Sequence, residues 1–221
     1  METSIKTERL YIRNFEIKDA EGLFAYLSQP RVNCFMDEQL RTLEEAVADV
    51  ERRGDDDLQY AVCLKKEDSI IGNVFAMKEE PDTYSVGWHF NEQYQGKGYA
   101  SEAARAFLDF LFTNKGARRI YAYVEENNIR SQKLCERLDM RNEGLFIDFI
   151  SFIKNSDGTP KYENTFIYAI LKKDWELCGM FNVQFSKHGE VPSEAHTLLD
   201  TINTNKTRRD YEHRDNPYAK L

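Results

Sequence analysis

Two hydrophobic periods run along this chain, and the places where one gives way to the other divide it into elements. Over Thr7 to Asn14, Leu10 and Ile12 alternate with Arg9, Tyr11 and Arg13, the two-residue period of a strand with one buried face. After Asp19 the period lengthens. Ala20, Leu23, Phe24 and Leu27 share one face of a helix, and Pro30 ends it. Thr42 and Glu45 have the spacing of a capping box, and Ala46, Val47 and Val50 form the apolar stripe of a second helix. Gly54 and the run Asp55-Asp56-Asp57 make a solvated turn. Strand-like segments follow at 58–64, 69–77 and 83–90, parted by short polar turns, which predicts an antiparallel meander. A long helix then carries Ala100, Ala103, Ala104, Phe107, Leu108 and Leu111 at the helical period, and Gly116 stops it. Next come a strand at 119–124 and a helix at 128–138 with Leu134, Cys135 and Leu138 inward. Two strands near 141–150 and 163–171 flank a turn at Asn155-Ser156-Asp157-Gly158. The pattern predicts one α/β domain with a mixed, mostly antiparallel sheet and flanking helices.

The periodicity fades after Trp175. The domain is therefore expected over 1–176, with an extension over 177–221. Pro192-Ser193 opens a short helix with Ala195, Leu198, Leu199 and Ile202 on one face. That face needs a cover, either the domain or a second copy of the chain in a homodimer. Residues 203–221 are polar and expected to fray. A length of 221 residues suits one domain with a full core. The formal net charge of -8 disfavours nucleic acid and favours a cationic substrate such as an amine. Cys34, Cys63, Cys135 and Cys178 form no C-x-x-C pair and no Cys/His cluster with zinc spacing, so no metal is expected. Reduced thiols, no signal segment and no bilayer-length apolar run make the expected residence cytoplasmic, with no membrane partner.

The candidate chemistry lies in Gln95-Gly96-Lys97-Gly98-Tyr99-Ala100, between a strand and the long helix. Glycines at 96 and 98 let backbone approach a ligand closely. The first N–H groups of the helix lack intrahelical acceptors and sit at the positive end of the dipole, where phosphate oxygens satisfy them. Lys97 adds a cation. Gly-Lys-Gly also suits an ordinary tight turn, so the loop alone does not decide. The P-loop pattern G-x-x-x-x-G-K-[ST] is absent. The G-x-G-x-x-G fingerprint fails because Ser101 occupies the third glycine position.

The surroundings of the loop carry a specific resemblance. Gln95 to Ala100 resembles the Q/R-x-x-G-x-G/A motif of the GNAT acetyltransferases. Val86-Gly87-Trp88 resembles the strand before that motif, and Ser101-Glu102-Ala103 the start of its helix. Asn128-x-x-Ser131, Leu134, Glu136-Arg137-Leu138 and Met140-Arg141 resemble the family's next block. Glu143-Gly144-Leu145, Tyr168-Ala169-Ile170-Leu171 and Asp174-Trp175 are similar to the branch that acetylates N-termini of ribosomal proteins, the RimJ/RimL-like branch. The resemblance runs from about Thr7 to Trp175 and leaves the extension uncovered.

The resemblance implies a GNAT fold with splayed central strands and acetyl-CoA as co-substrate. It implies that pantetheine pairs with the strand edge near His89, Phe90 and Asn91. The pyrophosphate would meet the loop of Gln95, Gly96, Lys97, Gly98, Tyr99 and Ala100. Asn128 would orient the pantetheine or thioester, or cap its helix, and the two roles are compatible. The implied reaction is direct attack of a neutral primary amine on the thioester in a ternary complex.

Two departures affect the proton path. The family's frequent Glu on the strand before the motif is replaced by Ser85, which is no base. Alternation puts Ser85, Gly87 and His89 on one face, so His89 is either the base or a structural histidine beside Trp88. Water, Asp37 or Glu38 are other routes. The family's frequent Tyr seven residues after the Asn is replaced by Cys135. Ser131 matches the Ser of the ribosomal branch and is the expected hydrogen-bond donor to the thiolate; its alternative is a local backbone bond in the first helical turn. Asp139 stands where the family has Gly, a position that often needs positive φ. Asp37, Glu38 and Ser85 are the expected acceptor-side residues. Phe146, Phe149 and Phe152 are expected in the core. The acceptor stays open among a protein N-terminus, a polyamine and an antibiotic, and a non-catalytic acyl-CoA sensor is the remaining alternative.

Overall fold

The computed structural model describes residues 4–177, and the helix expected near 193–202 lies outside them. The described strands are β1 (Ile5–Lys6), β2 (Leu10–Arg13), β3 (Gln59–Leu64), β4 (Ile70–Glu79), β5 (Thr83–Phe90), β6 (Arg119–Glu125), β7 (Arg141–Lys154) and β8 (Pro160–Leu171). The α-helices with both ends described are α1 (Ala20–Leu27), α2 (Leu43–Gly54), α3 (Tyr99–Thr113) and α4 (Ile129–Arg137). All strands join one sheet in the order β1-β2-β3-β4-β5-β6-β8-β7.

The alternation read in the sequence decides which side each residue serves. Leu10, Ile12, Tyr60 and Val62 turn to the side packed by α3 and α4, where Phe107, Leu108, Leu111 and Leu138 are fully buried or nearly so. Ala61 and Cys63, the alternate residues of β3, join Leu23, Leu27 and Val50 of α1 and α2 on the other side. The sheet is thus covered on both faces.

The buried ion pair before α1 is fully paired. Asp19 precedes α1 but does not cap it. Its carboxylate takes both prongs of the Arg13 guanidinium, at 2.7 and 2.9 Å, and also the Glu16 N–H. The pair is buried, and removing one partner from such a pair costs about 3–5 kcal/mol. Thr42 does cap α2, accepting from Glu45 N at 3.2 Å, while the Glu45 carboxylate takes the Arg41 N–H instead of closing the box.

Every neighbouring pair is antiparallel except β5 with β6. A parallel pair needs a crossover, which α3 supplies. The parallel register runs only from Thr83↔Arg119 to Ser85↔Tyr121. β5 then continues to Phe90, held by β4, and β6 to Glu125, held by β8. Two adjacent strands bound on their outer sides and unbound between them open a cleft in the sheet.

The last hairpin departs from expectation. β7 and β8 run several residues longer than the alternation predicts, up to the turn at 155–159. β7 is irregular between Phe146 and Ile150, and Asp148 has φ 47°. Phe146 and Phe149 were expected in the core, yet they are 41% and 43% exposed. They meet each other with tilted rings at 4.9 Å, and both contact Tyr123 of β6, Phe149 tilted and Phe146 edge-on. The irregular strand turns their rings away from the packed layers.

Candidate active site

One end of the cleft is a backbone structure. Gly96 and Gly98 have φ 77° and 81°, the left-handed region that disfavours any residue with a Cβ. Gly98 is the N-cap of α3, so the loop feeds directly into the free N–H groups of a 15-residue helix. Gln95, Gly96, Lys97 and Gly98 are exposed, and a Cβ placed on Gly96 would meet nothing within 4 Å. Space therefore lies open above the loop.

Arg9 fastens this loop, a role the sequence reading missed. Its guanidinium donates to the Lys97 carbonyl at 2.9 Å and to the Glu102 carboxylate at 2.6 Å, and lies 4.6 Å from the Tyr99 ring centre. The Thr7 hydroxyl and the Arg9 N–H also bond Glu102. Burial alone would raise the Glu102 pKa, but these hydrogen bonds outweigh it and hold the carboxyl below its ordinary range. An Asp or Glu three residues into a helix also suits the dipole.

The middle of the cleft is a cavity of about 200 Å³. Ser85, Gly87 and Trp88 line it from β5, and Tyr123 and Glu125 from β6. Asn128 and Ser131 line it from α4. The segment Asn33–Glu38, a 3-10 turn that the hydrophobic pattern did not reveal, supplies Cys34, Phe35 and Glu38. Gly87 is needed for packing: its Cβ would stand 2.2 Å from the Phe75 ring.

The capping role weighed for Asn128 is present, and both Asn128 and Ser131 line the cavity. Asn128 caps α4, accepting the Ser131 N–H at 3.2 Å, and still lines the cavity. The Ser131 hydroxyl accepts the Trp88 indole N–H at 3.2 Å. Because Trp donates only, that contact pins the oxygen and leaves the hydroxyl proton for another acceptor.

Other expected residues are placed differently. His89 is not among the residues lining the cavity. Its ring stacks behind Phe35 at 4.3 Å and meets Tyr26 edge-on at 5.0 Å. Burial, followed by the Arg53 charge, lowers its pKa from 6.5 to about 4. A ring so placed braces the cavity wall, which agrees with the structural alternative for His89. Asp37 is exposed and absent from the lining, which corrects its acceptor role. Glu38 lines the cavity, but its carboxylate is engaged by Arg53. The Asn91 side chain accepts from Gln93 N and its backbone N–H bonds Ile71, so this residue shapes the turn before the loop. Phe90 packs against the core beside it. Cys135 is fully buried, and Asp139 has the positive φ of 60° expected at its position.

Glu125 is the residue that sequence reading overlooked. It ends β6, is 5% exposed and lines the cavity. Its Oε1 is buried and lacks a hydrogen-bond partner. The neighbouring Cys34 thiol is pushed well up, first by burial and then by the Glu125 charge. In the sequence Glu125 merges with Glu126-Asn127 and reads as the start of a polar turn. Only its alternation with Tyr121 and Tyr123 marks it as facing inward.

Comparison with known proteins agrees with this architecture. Residues 9–141 match the family model described as an acetyltransferase (GNAT) domain. Over 173 residues the chain is 38% identical to the uncharacterized N-acetyltransferase YnaD of Bacillus subtilis, covering 77% of this chain and 98% of that protein. An acetyltransferase (GNAT family) structure from Bacillus anthracis superposes with a TM-score of 0.69 at 34% identity, covering 77% of this chain and 99% of that one. The ribosomal L7/L12 N-protein acetyltransferase RimL, solved with coenzyme A, shares the fold at TM-score 0.61 and 16% identity, covering 76% of this chain and 98% of that one. The cleft between β5 and β6, the glycine loop at the head of α3 and these matches together place the chain in the GNAT family of N-acetyltransferases.

Proposed function

We propose that this enzyme transfers the acetyl group of acetyl-CoA to a primary amine, both substrates being held together in the cleft between β5 and β6. The observation that carries the proposal is the split of the sheet after Ser85 and Tyr121, with the Gly96–Gly98 loop on one side and Ser131 on the other. The coenzyme A complex of RimL, a protein of the same fold, supports the donor.

Acetyl-CoA supplies an activated acyl carbon. The neutral amine forms the new C–N bond there as the C–S bond breaks; the nitrogen gives up one proton and the sulfur gains one. This chain's residues serve that exchange in three ways. The N–H groups of Gly98, Tyr99 and Ala100 and the Lys97 ammonium hold the diphosphate, in a loop that Arg9 keeps in place. The unpaired edge of β5 past Ser85 offers backbone groups to an extended pantetheine arm. The Ser131 hydroxyl, pinned by Trp88, donates toward the departing sulfur. No side chain needs to be acylated.

The test is direct. Full-length protein should bind acetyl-CoA by calorimetry and release free thiol only when an amine is supplied. Tight binding without amine-dependent release would support an acyl-CoA sensor instead. Absence of acetyl-CoA binding would remove the cleft from consideration.

A further inference from the structure

The acceptor end of the cavity contains two features that the transfer step does not use. One is the buried, partnerless Glu125 Oε1. The other is an exposed group of rings. Tyr123 lines the cavity two residues before Glu125 on the same face, is 47% exposed, and continues outward through Phe149 at 5.3 Å and Phe146 at 6.3 Å. A buried carboxylate oxygen without a donor is expensive, and so is an open aromatic surface. One ligand relieves both: a cation attached to a flat apolar body.

Resting on the acetyltransferase reading above, we propose that the acceptor is a primary amine carried on an apolar, ring-bearing body. Its ammonium docks on Glu125, and its ring lies against Tyr123 and Phe149. The local charge agrees. Glu163 precedes Thr165, the cross-strand partner of Glu125, by two residues on the same face, and its Oε2 is also buried without a partner. Asn33 of the 3-10 turn donates to the other Glu163 oxygen. Among the described residues no ion pair engages Glu125, and Arg53 is spent on Glu38 and Asp49. A polyamine fits less well, since its second and third charges would lie against rings rather than carboxylates. An apolar amine without a ring would reach Glu125 but leave the outer wall uncovered.

Amine-dependent thiol release separates these acceptors. Phenethylamine and a peptide amide beginning with Phe are compared with spermidine, ethylamine and a peptide amide beginning with Ser, all with saturating acetyl-CoA. The ring-bearing amines should exceed the others by about tenfold or more in kcat/KM. The two ring-bearing probes distinguish a small molecule from a protein terminus. Glu125→Gln should lower kcat/KM for phenethylamine by about tenfold while leaving acetyl-CoA affinity within about twofold. Phe149→Ala changes an exposed ring and does not threaten folding. It should erase the preference for phenethylamine over ethylamine. Spermidine or ethylamine turning over as well as phenethylamine would overturn the proposal, as would unchanged kinetics in Glu125→Gln. A change of molecular mass in Phe149→Ala with unchanged kinetics would assign the rings to contact between copies and also overturn it. Loss of acetyl-CoA binding by the unmodified protein is the separate result that would sink the acetyltransferase reading itself.

Discussion

The two ends of the cleft are built from different materials. The Gly96–Gly98 end is made of backbone, with two residues at positive φ, the first turn of α3 and one arginine across the loop. The Glu125 end is made of side chains from the 3-10 turn, β5, β6 and α4. Backbone N–H groups offer the same shape whatever residue bears them, so the first end recognises one constant group. Side chains vary without disturbing the sheet, so the second end can be adapted to a particular acceptor. The difference teaches that the donor of a GNAT enzyme is legible locally and its acceptor is not.

Five changes test this contrast. The largest effect is expected at the backbone end. Gly98→Val forces a β-branched residue to φ 81° and sets its Cβ 3.3 Å from Arg9 Nη2. Acetyl-CoA affinity measured by calorimetry should fall by about a hundredfold or more. Comparable affinity would show that the loop is not the donor site.

The next effect concerns the wall of the side-chain end. The folded pKa of His89, about 4, lies below its ordinary value of 6.5. The unfolded chain therefore binds the proton more readily. The stability that neutral His89 contributes is fully present above pH 6.5 and is lost as pH falls towards 4. It amounts to on the order of 3 kcal/mol at neutral pH. Urea midpoints measured from pH 7 to 4.5 should drop more steeply in the natural protein than in His89→Phe. Parallel curves would mean that the ring is protonated without penalty.

Smaller again is the effect of Ser131→Ala. Turnover should fall by about tenfold, with acetyl-CoA affinity unchanged within about twofold. Trp88→Phe should reproduce part of that loss because it frees the Ser131 oxygen. Full turnover in Ser131→Ala would move the sulfur's hydrogen-bond donor elsewhere. The smallest effect is expected for Arg9→Ala, which leaves the glycines in place but unfastens the loop. Acetyl-CoA affinity should weaken by about fivefold, the loss of roughly 1 kcal/mol of hydrogen bonding at an exposed site. A loss as large as that of Gly98→Val would mean that Arg9 itself binds the ligand.

The uneven legibility of the site follows from the same contrast. Ser131 and Asn128 could be placed together because they sit in one motif at the head of one helix, and the structure adds that Trp88 connects that motif to β5. His89 stayed open between a base and a structural ring because period-two alternation gives the face but not what covers it. Phe35 and Tyr26, more than fifty residues away, cover it here. Phe146 and Phe149 were assigned to the core by residue type, and an irregular strand turned them outward. Glu125 looked like the start of a turn because only its pairing with Thr165 keeps it in the strand.

By itself, then, the sequence determined most of the elements, their order along the chain, the flanking helices and the glycine loop. These depend on short-range periodicity, capping and φ preference, which neighbouring residues fully specify. Tertiary structure alone decided that β5 and β6 part after three register pairs, that Arg9 fastens the loop to Glu102, and that a buried carboxylate with one oxygen unpaired lines the cavity beside an exposed ring. Those outcomes depend on which residues meet across long stretches of chain, and on which polar atoms find no partner once the apolar layers have closed.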